Sequence, residues 1–235
     1  MKLSDFENIL QKFGIIPSNL SFYQTAFTHR SYLNESKDAK ESNERMEFLG
    51  DAILSYVISS FLYKKRPFDN EGNLTNTRAY LVKTESLAKV SENLSFGKFL
   101  KMSRGEESSG GRSNPQLLAN TYEAVLGAIY LDLGIEKAEQ FISRTILPNF
   151  EDVIQSGPPP DPKSLLQEVV QSQFQASPRY KILATSGPDH AKKFIVGVFI
   201  DGKKLGEGKG SSKQQAEENA AKAALAGLAL SKKPH

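Results

Sequence analysis

The chain has 235 residues, 39% of them apolar and 24% charged, with a net charge of only +3 and no cysteine. That length suits one large domain or two smaller ones, and the lack of cysteine excludes a disulfide scaffold, a thiolate zinc site, an iron–sulfur cluster and a Cys nucleophile. No stretch approaches the roughly 18 consecutive apolar residues that span a bilayer; Asp5 and Glu7 stand where a signal peptide needs an apolar core, so a soluble cytoplasmic protein with no membrane partner is expected.

Taken in chain order, the first two-thirds reads as helix. Leu3, Phe6, Leu10 and Phe13 recur at helical spacing and stop at Gly14. An apolar-rich run over 43–64 is closed by Pro67, Thr75 to Leu94 keeps the helical period, and Pro115 opens a run that reaches Leu133 before Gly134. A last helix is expected from Glu136 to Phe150, with Pro148 near its end. Little alternates with period two, so this part is all-α. Ser156-Gly157-Pro158-Pro159-Pro160-Asp161-Pro162 cannot continue a helix and reads as a semi-rigid linker.

Beyond the linker the pattern changes. Pro162 to Gln175 looks helical, Tyr180–Thr185, Lys193–Ile200 and Lys203–Glu207 read as short strands, and Asp201-Gly202 is a hairpin turn signal. Ser211 to Leu230 is an Ala-rich helix with Ser211 or Ser212 as its N-cap. The expected organisation is an all-α domain over 1–150, a Pro-rich linker over 151–162 and a small α+β domain of order α-β-β-β-α over 163–231. Charge divides the same way: residues 161–235 hold 12 Lys and Arg against 7 Asp and Glu, while residues 1–160 hold 18 against 20. A basic C-terminal segment points to a polyanionic partner.

The chemistry concentrates in Asn43-Glu44-Arg45-Met46-Glu47-Phe48-Leu49-Gly50-Asp51. On a helix, Glu44, Glu47 and Asp51 fall within about 60° of one another. Like charges so placed repel, and a divalent cation would turn repulsion into coordination. A second polar interruption, Asn120 and Glu123, sits on a helix that is apolar nearly all round. Oxygen ligands without His or Cys suit a hard ion such as Mg²⁺ rather than zinc. Spacing alone leaves a second reading open, in which these are solvated surface acids or partners of Arg45 or Arg78.

The run NERMEFLGDAILS closely resembles the signature of the ribonuclease III family of double-stranded-RNA endonucleases. The likeness extends through AFTHRSY (26–32), EGNLTNTRAYLV (71–82), GEESSGGR (105–112) and LLANTYEAVLGAIYLD (117–132). It implies that Glu47, Asp51 and Glu123 bind Mg²⁺ (Mn²⁺ can substitute) and position the attacking water. It also implies that Glu44 and Glu71 match further acidic positions of the catalytic valley. Phe48 matches an aromatic that plugs a partner-subunit pocket, implying a homodimer. Asn120 stands where the family usually has Asp; its amide oxygen can ligate the metal but brings no charge. The resemblance further implies products with 5′-phosphate and 3′-hydroxyl ends and short 3′ overhangs, in rRNA and mRNA processing. The alternatives are a catalytically weak or inactive duplex-RNA-binding regulator and a metal-independent assembly protein.

The α-β-β-β-α order in turn resembles a double-stranded-RNA-binding domain, which reads duplex shape across two minor grooves. Gln167 and Glu168 match its first contact helix, Gly187-Pro188-Asp189-His190 its minor-groove loop, and Lys209, Ser211, Ser212, Lys213 and Gln214 its phosphate clamp. Other chemistries lack support. His29, His190 and His235 lie in unrelated contexts, His29 reading as a helix or core hydrogen-bonder. Gly110-Gly111 and Gly206-x-Gly208-x-Gly210 read as turn material without a phosphate-loop Lys-Ser/Thr ending, so no nucleotide cofactor is expected.

Overall fold

The structure is a computed structural model that describes residues 3–36, 39–187 and 192–230. It divides into two compact units, Met1–Pro158 and Pro159–His235. His190 and His235 lie outside the described residues.

The first unit holds α1 (Leu3–Lys12), α2 (Leu20–Ala26), α3 (Glu44–Lys65), α4 (Glu71–Val82), α5 (Thr84–Asn93), α6 (Arg104–Ser108), α7 (Pro115–Leu133), α8 (Ile135–Thr145) and α9 (Glu151–Ser156). Short 3₁₀ turns occupy Arg30–Asn34, Phe96–Lys98, Gly111–Ser113 and Leu147–Asn149. The core is built around α7, whose Leu118, Tyr122, Val125, Leu126 and Ile129 are buried, with α2, α3, α5 and α8 packed against it. α7 starts where expected: Pro115 occupies the first turn and the Asn114 side chain accepts the Gln116 amide. Two glycines let α3 and α7 cross with their backbones in contact. A Cβ on Gly50 would collide with the Glu123 carbonyl, and one on Gly127 with that of Met46.

Three departures from the expected elements have local causes. The pattern over 75–94 is two helices, because Lys83 is extended (φ −65°, ψ 156°), ending α4 and opening α5. Ser86 Oγ donates to the Tyr80 carbonyl at 2.7 Å and so satisfies an acceptor the break leaves over. The helix expected to reach Phe150 stops at Thr145, since Pro148 lacks the N–H and crowds the preceding turn. The chain then re-forms α9 inside the stretch expected to be linker. Ile154 of α9 is buried in the first core, so that unit runs on to Pro158.

The second unit has α10 (Pro162–Phe174), β1 (Arg179–Ser186), β2 (Lys193–Ile200), β3 (Lys203–Gly210) and α11 (Lys213–Leu230), the strands forming an antiparallel sheet of order β1-β2-β3. Asp201 and Gly202 both adopt positive φ (45° and 84°), as the tight β2–β3 hairpin requires. Val196, Val198 and Ile200 pack with Leu166 and Val170 of α10 and with Ala216, Ala220, Ala221 and Ala224 of α11. Gly206, Gly208 and Gly210 are strand, not turn. They lie at alternate positions of β3 against the backbone around Ala216, Ala220 and Ala224, where any side chain would force α11 off the sheet.

Candidate active site

The α3–α7 crossing gathers the acidic residues into a cleft of about 620 Å³. Helix α3 supplies Glu44, Glu47, Phe48 and Asp51, and α7 supplies Gln116, Asn120, Thr121 and Glu123. Helical spacing puts each set on one face of its helix, and the glycine contacts bring the two faces together.

The electrostatics are those of a carboxylate cluster lacking a counter-charge. Burial, reinforced by the Asp51 and Glu47 carboxylates, pushes the Glu123 carboxyl up to about 8. Burial also raises that of Glu47; Glu44 and Asp51 add to the rise, and a hydrogen bond with Asn120 opposes it. The cations that could have absorbed this charge are engaged elsewhere. Arg45 pairs with Glu41 at 3.9 Å, and Arg78 donates to Ser59 Oγ at 3.0 Å. Among the described residues, Glu44, at the rim, is the cleft carboxylate with an ion pair: Arg30 at 3.6 Å, with Ser42 Oγ donating to its other oxygen at 2.9 Å.

Oxygen donors carrying surplus negative charge in a partly buried cleft are the donor set a hard divalent cation needs. Among the described residues, no three His, Asp or Glu side chains are grouped closely enough to hold a metal ion as they stand. The fit therefore lies in the donors and their charge.

Two expected site residues are used differently. Asn120 Oδ1 accepts from Gln116 Nε2 at 2.7 Å, while its amide hydrogen-bonds Glu47, so the oxygen expected as a ligand already has a partner. Glu71 does not reach the cleft of its own chain. It lies at the start of α4, in a separate groove beside Tyr56, Tyr63, Leu74 and Arg78. Phe48 is 80% exposed beside the acids. His29 and Gln116, neither expected as site residues, both line the cleft.

In the second unit, Gln167 and Glu168 are exposed on α10, and Lys209, Ser211, Ser212, Lys213 and Gln214 are exposed around the start of α11. Ser212 Oγ caps α11 by accepting the Gln215 amide at 3.1 Å, and Gln215 Oε1 accepts the Ser211 amide at 2.7 Å. The Lys213 and Gln214 amides meet no acceptor among the described residues.

This geometry has relatives. Residues 19–150 match the ribonuclease-III-like family model and residues 162–228 the double-stranded RNA binding motif. The chain is 43% identical over 230 residues to ribonuclease 3 of Streptococcus gordonii, covering 95% of this chain and 97% of that one.

The chain belongs to the ribonuclease III family.

Membership makes it an endoribonuclease of the ribonuclease III type, with a helical nuclease domain followed by a double-stranded-RNA-binding domain. Ribonuclease 3 of Dehalococcoides mccartyi is 45% identical over 222 residues, covering 94% of each chain. Among solved structures, the nuclease domain of ribonuclease III from Campylobacter jejuni, which has a flexible region involved in dimer formation, aligns with a TM-score of 0.57 at 38% identity. It covers 62% of this chain and 98% of that domain. Among the described residues, no helix is long and apolar enough to cross a membrane.

Proposed function

We propose that this family member cleaves double-stranded RNA in the α3–α7 cleft, using Mg²⁺, or Mn²⁺ in its place, held by Glu47, Asp51 and Glu123. The observation that carries this reading is the set of mutually repelling, partly buried carboxylates, with Glu123 pushed up to about 8. When bound, the ion would make water a usable nucleophile near neutral pH and offset charge on the phosphoryl and leaving oxygens. The chain's own contribution is placement. Asn120 tethers Glu47, the glycine crossing fixes Glu123 against Asp51, and Glu123 gives up its carboxyl proton to become a ligand. Glu44 supplies further negative charge at the rim. The family resemblance adds 5′-phosphate and 3′-hydroxyl products with short 3′ overhangs, and a place in rRNA and mRNA processing.

The second unit would grip the duplex. The open amides and dipole at the start of α11, with Lys209 and Lys213, suit phosphate, and exposed Gln167 and Glu168 suit ribose hydroxyls. A homodimer is part of the proposal. Phe48 at 80%, Tyr56 at 61% and Tyr63 at 75% exposure mark an aromatic stripe along α3 that solvent alone does not explain, and Glu71 lies beside it.

Incubating a duplex RNA with the chain, with Mg²⁺ and with EDTA, tests the reading. Metal-dependent cleavage that Glu123→Gln abolishes, with duplex binding retained, is the expected result. Binding without cleavage by the wild-type chain would favour a duplex-RNA-binding regulator, the reading to which the engaged Asn120 oxygen lends weight.

A further inference from the structure

The carboxylates explain how the cleft would hold a cation, but not how it admits a polyanion. Of the cleft-lining residues, His29 and Arg30 are those with basic side chains, and Arg30 is already beside Glu44. His29 is held with unusual care for a half-buried residue. Its backbone N–H donates to the Lys101 carbonyl at 2.9 Å, and the Lys101 N–H donates to Phe27 at 2.8 Å. The ring caps the turn Arg30–Asn34 by accepting the Ser31 amide at Nδ1, at 3.3 Å.

That bond settles the tautomer. A backbone N–H can only donate, so Nδ1 carries a lone pair and the neutral ring's proton is on Nε2. Ser31 Oγ, 2.8 Å from Nδ1, accepts the Ser103 amide at 3.0 Å and so turns its own hydrogen toward the ring. Nδ1 is saturated from one side by two donors. Nε2–H has no partner among the described residues, on a side chain that lines the cleft.

We propose that His29 is a substrate-contacting residue whose Nε2–H donates to a phosphate oxygen of the RNA strand lying in the cleft; this rests on the duplex-RNA reading above. The residue type suits the place. A Lys or Arg beside Glu44, Glu47 and Asp51 would collapse onto a carboxylate, as Arg30 does onto Glu44. A neutral imidazole with its other nitrogen already satisfied keeps its donor for the substrate.

Two variants of the full chain separate this from a purely structural ring. His29→Asn keeps a side-chain acceptor for the Ser31 amide, a favourable cap, but is too short to present the donor. His29→Gln can place an N–H near the Nε2 position but caps poorly. The expected result is that His29→Asn melts with the wild type yet loses roughly tenfold or more in kcat/KM on duplex RNA, the scale of one hydrogen bond to a charged group. His29→Gln melts lower yet keeps more activity. In the non-cleaving Glu123→Gln background, His29→Asn should also weaken duplex binding severalfold. Wild-type cleavage and binding by His29→Asn would overturn the contact, as would equal losses in both variants that follow their melting temperatures. Failure of the wild-type chain itself to cleave duplex RNA would instead overturn the function proposed above, and the His29 contact with it.

Discussion

Gln116 and Asn120 lie one helical turn apart on α7, and the Gln116 amide donates to the Asn120 oxygen at 2.7 Å. That bond fixes which end of Asn120 faces Glu47. The side chain serves as a donor to a carboxylate where the family's usual Asp would be another acceptor.

The consequence can be read in metal affinity. If three carboxylates hold the ion and Asn120 only steadies Glu47, Asn120→Ala should leave the calorimetric Mg²⁺ affinity within about threefold. Asn120→Asp adds a ligand charge and should tighten binding by about tenfold or more. A large loss in Asn120→Ala would instead make the amide oxygen a ligand, freed from Gln116 when the ion binds.

The Glu123 carboxyl gives a pH test. Its folded value is raised from 4.5 to about 8, so the native state holds a proton that the unfolded chain has released over that window. Stability from this group is full below 4.5 and is lost as pH rises toward 8. Mg²⁺ competes with that proton, so added Mg²⁺ should raise the melting temperature more at pH 8 than at pH 6. Glu123→Gln should flatten both trends. An equal Mg²⁺ shift at the two pH values would argue against Glu123 as a ligand.

Away from the cleft, Asp132 near the end of α7 fastens the start of α2. Its carboxylate accepts the Ser18 and Asn19 amides and the hydroxyl of buried Tyr23, each at 2.9 Å, as well as the Ser18 hydroxyl. Burial would raise its pKa, but these hydrogen bonds outweigh that and hold it below the ordinary 3.8. Its contribution is complete above 3.8 and is lost as pH falls below that value. Asp132→Ala should cost about 1–3 kcal/mol in urea unfolding at pH 7, nearer the lower figure because solvent reaches the carboxylate. The loss should shrink in acid.

Lys213, whose side chain is 64% exposed and stands 3.9 Å from Glu217, is proposed above as a phosphate contact, which would leave sequence unread. Lys213→Ala should weaken binding to all duplexes alike and reduce the log–log salt slope by about 1. An unchanged slope would remove it from the clamp.

How much of this was legible beforehand follows from where the determinants lie. The acidic stripe of α3 and the Asn120–Glu123 pair could be read because helical spacing is local, and the α-β-β-β-α order because Pro162, Asp201-Gly202 and the Ala-rich run punctuate it. Helices α2 and α6 escaped notice. The carboxylate that orders the start of α2 comes from Asp132, more than a hundred residues away, and α6 is a five-residue turn. His29 reads as a helix or core hydrogen-bonder, and its ring does cap the Arg30–Asn34 turn; its place at the cleft was not legible, because its orientation depends on Ser31, whose hydroxyl is held by Ser103, 72 residues from it. The β3 glycines were misread because a strand whose inward face is glycine shows no hydrophobic alternation. Only α11 lying on it reveals the period.

The crossing at Gly50 and Gly127 also has a mechanical meaning. Each helix presses its backbone on the other at both points, so α3 and α7 cannot rock or draw closer without breaking main-chain packing. One jaw of the cleft is thus an anvil. Adjustment to a bound strand falls to the rim around His29, Arg30 and Leu100, where side-chain and loop hydrogen bonds such as those from His29 to Lys101 and from Ser103 to Ser31 take the place of helix-on-helix backbone packing. Amide exchange should be slowest along the anvil and respond to duplex RNA first at the rim.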